Sequence, residues 1–154
     1  VRVLFVPTAA IDEESKETIP FCREDLTNAG VIDDNIIVYN LDRSMDIEEL
    51  LQYDAIYFCG GSEIYLMEKI NEVKFAPILL EAINRGLFYI GVSAGSMILS
   101  TSVPNNIKII PNPLEPHCEE NITPCGYLPK AGQALNISDN QAVWILGDKA
   151  IILE

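Results

Sequence analysis

Short, unbroken apolar runs, each followed by a helix-like stretch, constrain the fold of this chain more than any other feature. They read VRVLFV (1–6), NIIVYN (35–40), YDAIYFCGG (53–61) and LFYIGVS (87–93). A strand without polar alternation needs cover on both faces, and helices running between such strands supply it. The stretches EESKETIPFCREDLTNAG, SMDIEELLQ, SEIYLMEKI and FAPILLEAINRG fall in the gaps as helices. This order predicts an α/β fold with a mainly parallel sheet flanked by helices. No linker, repeat or low-complexity run divides residues 1–154, so they read as one domain. Three local expectations follow. Pro20 should kink or split the first helix, which stops at Asn28-Ala29-Gly30. Ser44 or Asp46 should cap the second. The tail QAVWILGDKAIILE should turn back as a hairpin at Gly147-Asp148.

Charge narrows the partners. Ten Lys and Arg stand against 23 Asp and Glu, a formal net charge of −13. A phosphate backbone needs a basic stripe, so no nucleic-acid partner is expected. No run approaches the ~20 uncharged apolar residues of a membrane span, and the chain opens directly as a strand rather than a signal peptide. Cys22, Cys59, Cys118 and Cys125 read as reduced thiols of a cytoplasmic protein. Cys118 and Cys125 are too far apart for C-x-x-C, and His117 is the only histidine, so neither a metal nor another cofactor is expected.

In an open parallel sheet the chemistry gathers beyond the C-terminal ends of the strands. Two glycine turns fall at such ends, Gly60-Gly61 and Gly91-Val92-Ser93-Ala94-Gly95. The second has the form G-x-S-x-G, in which a sharp strand-to-helix corner lifts a serine oxygen out of the sheet; the plain alternative is a tightly packed βα junction. If an imidazole activates Ser93, it must be that of His117, in the proline-braced loop NPLEPHCEEN. A third group must then hold the imidazole tautomer. Glu115, the one acid between Ser93 and His117, is too close in sequence to reach the ring. The acid is therefore expected after the histidine, among Glu119, Glu120, Asp139, Asp148 and Glu154.

The segments YFCGGSEIYLMEKI, RGLFYIGVSAGSMIL and PHCEEN, with VLFVPTAA near the start, resemble the peptidase E (aspartyl dipeptidase) and cyanophycinase family of serine peptidases. The resemblance implies a class I glutamine amidotransferase-like fold, a flavodoxin-like three-layer sandwich. It implies Ser93 as nucleophile and His117 as general base, then acid. The N–H groups of Gly61 and Ala94 would form the oxyanion hole, with Asp139 in SDNQAVWI as the matching acid where the family usually carries Glu. The implied substrate is a small peptide, with a dipeptidase preference for N-terminal Asp. Three departures stand out. Ser62-Glu63 replaces the family's Asn-Thr, the intervals from Ser93 to His117 and from His117 to Asp139 are short, and the family pattern begins one strand and one helix earlier. The chain is then a trimmed member, or one lacking that unit and some loop residues. Two other readings stay open: a non-catalytic member that binds a small ligand in the same pocket, and a hydrolase of esters or β-aspartyl links. Oligomeric state has no signature in the sequence.

Overall fold

Four strands, Val3–Val6 (β1), Ile36–Val38 (β2), Ala55–Phe58 (β3) and Phe88–Gly91 (β4), pair in parallel in the order β2-β1-β3-β4. The chain runs from β1 to β2 on one side, then crosses back to β3 on the other. The direction of winding therefore reverses between β1 and β3, where open α/β sheets leave a crevice. Residues 1–119, 122–147 and 149–154 are described by this computed structural model. They pack as two compact units, Val1–Ser96 and Met97–Glu154.

Alternation along the strands assigns the two faces of the sheet. Val3, Phe5, Ala55, Tyr57 and Cys59 share one face with Cys22 and Leu26 of α1 (Glu13–Asn28). Leu4, Val6, Ile56 and Phe58, each at most 1% exposed, point the other way. Right-handed crossovers put α2 (Ile47–Leu50), α3 (Glu63–Glu72) and α4 (Phe75–Asn84) on that second side. This is the three-layer α/β arrangement expected from the unbroken apolar runs.

Contrary to expectation, α1 is not split at Pro20 but runs through it from Glu13 to Asn28. Pro20 is exposed, while Ile19, Cys22 and Leu26 form the stripe packed on the sheet. The hydrogen bond that proline forfeits thus faces solvent, where water can replace it, and the buried stripe holds the helix together. Its end is a Schellman turn: Gly30 adopts φ +94, and the Val31 N–H donates to the Leu26 carbonyl at 3.0 Å. Of the two caps considered for α2, Asp46 is used, accepting from the Glu49 N–H at 2.9 Å.

The second unit is built from short pairings. Leu114–Glu115 (β5) runs parallel to Leu135–Asn136 (β6), and Ala142–Leu146 (β7) pairs antiparallel with Lys149–Leu153 (β8). The latter is the hairpin expected of the tail; Asp148 of its turn lies outside the described residues. Among the described residues no helix is long and apolar enough to cross a membrane.

Candidate active site

Register explains which loops meet in the first unit. Phe58 lies opposite Val6 on one side and Gly91 on the other. Gly60 and Ser93, each two residues further on, are therefore neighbours, as are Gly61 and Ala9, each three further on. The ladder continues past the strands, with the Val92 N–H donating to the Phe58 carbonyl at 3.0 Å and the Ser62 N–H to the Ala9 carbonyl at 2.8 Å. A Cβ placed on Gly60 would lie 3.2 Å from the Ser93 Cβ and 3.7 Å from its Oγ. Gly61 has φ +133, and a Cβ there would run into the Ala9 carbonyl and come within 2.8 Å of the Ala10 nitrogen. Only glycine fits that turn.

Ser93 occupies the corner between β4 and the single helical turn Ala94–Met97 (α5) with φ 47, a left-handed conformation unusual for a residue bearing a side chain. The glycines on either side make the corner possible. A Cβ on Gly91 would be 2.5 Å from the Gly95 carbonyl oxygen, and one on Gly95 would be 2.5 Å from that of Phe58. Two hydroxyls brace the corner. Tyr89 donates to the Gly95 carbonyl at 2.5 Å, and Ser96 donates to the Gly91 carbonyl at 2.5 Å. Burial holds the Tyr89 phenol well above its ordinary pKa, so it is a neutral donor at any working pH. Ala94 opens α5, so its N–H has no partner within the helix. Among the described residues, neither that N–H nor the Gly61 N–H donates to a protein acceptor.

The second unit brings His117 and Asp139 together. Parallel pairing sets Leu114 beside Leu135 and Glu115 beside Asn136, and the Cys118 N–H extends the ladder to the Ile137 carbonyl at 3.0 Å. Both chains leave the same end of this ladder, His117 three residues past Leu114 and Asp139 four past Leu135. His117 Nδ1 lies 2.5 Å from Asp139 Oδ1. A carboxylate can only accept, so the ring carries its proton on Nδ1. His117 itself turns at φ 61. Of the other acids considered, Glu154 lies instead against the Cys125 thiol, and Glu120 and Asp148 fall outside the described residues.

Side chains that carry no motif hold this loop. Asn112, 2% exposed, donates from Nδ2 to the carbonyls of Lys130 and Gln133, both at 2.9 Å. Ser102 Oγ accepts from the Leu114 N–H at 2.7 Å and donates to the Leu114 carbonyl at 2.8 Å. Sequence reasoning missed both, as it missed Tyr89 and Ser96; only the polar residues inside apolar runs hinted at them. It also passed over Thr8, in the loop after β1, whose Oγ1 is buried and without a protein partner among the described residues. Among those residues no group of His, Cys, Asp and Glu is arranged to hold a metal ion.

The model for Peptidase family S51 matches residues 1–115, which carry the glycine turn and Ser93. An uncharacterized peptidase of Pasteurella multocida (strain Pm70) is 29% identical over 103 residues, 67% of this chain and 48% of its own length. One from Listeria innocua serovar 6a is 30% identical over 103 residues, 66% of this chain and 48% of its own. The chain thus spans about half the length of the curated relatives it matches. A Listeria monocytogenes EGD-e protein assigned to peptidase E superposes with a TM-score of 0.73 at 22% identity, over 99% of this chain and 85% of that one. A peptidase from an acI-B1 Actinobacterium gives 0.61 at 22% identity, over 92% and 68%. These two likenesses establish a shared α/β fold.

Proposed function

Because this chain belongs to peptidase family S51, we propose that it acts as a serine peptidase on small peptides, a dipeptidase preferring N-terminal Asp, through Ser93, His117 and Asp139. The observation that carries the reading is Ser93 at φ 47 beside Gly60, in a corner where the Gly61 and Ala94 amides have no protein acceptor among the described residues. Ser93 Oγ attacks the peptide carbonyl while His117 takes its proton. The Nδ1–H bond to Asp139 keeps the other ring nitrogen available as base and stabilises the imidazolium that forms. The two amides donate to the oxyanion of the tetrahedral intermediate. His117 then returns the proton to the leaving amine, and water hydrolyses the acyl-enzyme by the same route. The preference for aspartate comes with the family resemblance. We assign the protein to the cytoplasm on its four free thiols.

Labelling with a fluorophosphonate, followed by peptide mapping, tests the nucleophile, and a dipeptide panel that includes Asp-Xaa substrates tests the reaction. The expected result is phosphonylation of Ser93 alone and fastest turnover of Asp-Xaa. A folded protein that takes no label and cleaves no dipeptide would overturn the reading.

A further inference from the structure

β5 is only two residues long, too short to fix its own register, yet both of its edges are held. Along one edge the Leu135 N–H donates to the Pro113 carbonyl at 2.7 Å and the Ile137 N–H to the Glu115 carbonyl at 2.9 Å. Backbone groups of successive residues face opposite edges of a strand, so those of Leu114 point away from β6. A single hydroxyl meets them. Ser102 Oγ accepts from the Leu114 N–H and donates to the Leu114 carbonyl, standing in for a neighbouring strand.

Ser102 is itself hung from the end of α5. Its N–H donates to Ser100 Oγ at 3.2 Å, and Ser100 Oγ donates to the Met97 carbonyl at 2.8 Å. Ser100 is fully buried. Both hydroxyls thus accept one hydrogen bond and donate one, which fixes their orientation. Met97 closes α5, whose first residue, Ala94, directly follows Ser93. His117 lies three residues past Leu114, and Pro116 stiffens the step between them. The path Met97, Ser100, Ser102, Leu114 therefore runs from the helix that begins after Ser93 to the strand that leads to His117. Two main-chain bonds of 2.8 Å, from the Ile107 N–H to the Ile98 carbonyl and from the Ile110 N–H to that of Leu99, tie the same segments together.

We propose that Ser100 and Ser102 are positioning residues for the peptidase reaction: their hydroxyls form a strut that lets α5 set where His117 stands for proton transfer with Ser93. The two serines have separable parts. The Ser102 hydroxyl grips β5, and with it the register that brings Asp139 to His117. The Ser100 hydroxyl joins that grip to α5. Cutting the strut at Ser100 leaves Leu114 bound to Ser102, so β5 and β6 keep their register and shift together. A shift on the order of 1 Å, caused by a change remote from the chemistry, can cost about 10²-fold in rate. The strut acts on the base and not on substrate binding, so the loss falls on kcat rather than KM.

The strut itself is independent of the peptidase reading; its effect on rate rests on that reading. In Ser100→Ala the Ser102 N–H loses its acceptor, so its hydrogen exchange, followed by NMR, should speed up at least about tenfold. Unchanged protection would overturn the strut. Fluorophosphonate labelling of Ser93 in the same variant should slow by about 10- to 10²-fold, and kcat on a dipeptide should fall alike at constant KM. His117 is the sole histidine, so its Nδ1 proton gives one assignable NMR signal, which should persist in Ser100→Ala. Labelling at the wild-type rate, or loss of that signal, would sink the proposal. In the first case His117 has not moved, and in the second Ser100 holds the pair with Asp139 rather than placing it. Should Ser100→Ala not fold, Ser102→Ala and Ser102→Thr decide. The threonine variant keeps the hydroxyl and should label about 10²-fold faster than the alanine variant; equal rates would refute the strut. Wild-type protein that takes no label would overturn the peptidase reading, and with it the coupling, while exchange at Ser102 still decides the strut.

Discussion

Ser93 holds its backbone at φ 47, where a Cβ crowds the following carbonyl oxygen at a cost of about 1–2 kcal/mol. Glycine has no Cβ and escapes that penalty. It returns about 0.5–1 kcal/mol through the extra freedom of its unfolded chain. Set against each other, the two leave Ser93→Gly up to about 1.5 kcal/mol more stable than a variant that keeps the Cβ. Ser93→Ala is that reference, because it loses the same hydroxyl interactions and retains the strained corner. In a protein of this size the difference corresponds to a thermal midpoint up to about 3–6 °C higher for Ser93→Gly. Urea unfolding followed by circular dichroism, with calorimetry for the midpoint, measures it directly. Both variants lack the proposed oxygen nucleophile, so peptide hydrolysis should fall by orders of magnitude in each. The reasoning fails if Ser93→Gly is less stable than Ser93→Ala by about 0.5–1 kcal/mol, as at an ordinary position. The corner would then store no strain.

Asp139→Asn should cut kcat by about 10⁴ while leaving the unfolding curve in place. The pair it disrupts is exposed, 59% on the His117 side and 79% on the Asp139 side, and adds little to stability; retained turnover would remove Asp139 from the mechanism. Tyr89→Phe deletes the donor to the Gly95 carbonyl and should lower stability by about 1–3 kcal/mol. It should also slow fluorophosphonate labelling of Ser93, and a variant labelled at the wild-type rate would mean that the brace is dispensable. Thr8→Val removes a buried hydroxyl that has no protein partner among the described residues and keeps the shape. It should raise stability by about 1 kcal/mol, measured as a higher urea midpoint; a fall would mean that the hydroxyl is satisfied in solution.

The layers of the fold were legible because burial on both faces leaves a compositional mark. Val3–Val6 and Ala55–Phe58 are buried at every position and read as apolar at every position. Helix ends were legible where one residue does the work, as at Asp46 and Gly30. Pro20 misled because a proline's effect depends on which side of the helix it faces, and the sheet-facing side is decided by partners distant in sequence. The single turn of α5 was equally hidden, since the apolar residues after Ala94 suit a longer helix.

The candidate site divides along the same line. Gly61, Gly91 and Gly95 were conspicuous because backbone approaches this close tolerate no other residue, and such approaches produce recognisable spacing. His117 stood out by being the sole histidine, in a proline-braced loop whose PHCEEN segment carries part of the resemblance. The residues alone left its partner open among five acids and the resemblance chose Asp139; what brings the two together is the register of a two-residue ladder, β5 with β6, whose strands are too short to carry any periodic signal. Asp139 and Glu119 are both acids in polar loops, and residue type alone does not distinguish them; only the resemblance of SDNQAVWI pointed to Asp139. Pairing Leu114 with Leu135 is what delivers Asp139, rather than a nearer acid, to the His117 ring. Asn112 and Ser102 hold that register from outside any motif, through bonds to backbone carbonyls and amides that any side chain would present alike. A reading by residue type therefore finds the groups that react, whereas the groups that aim them emerge only from the folded backbone.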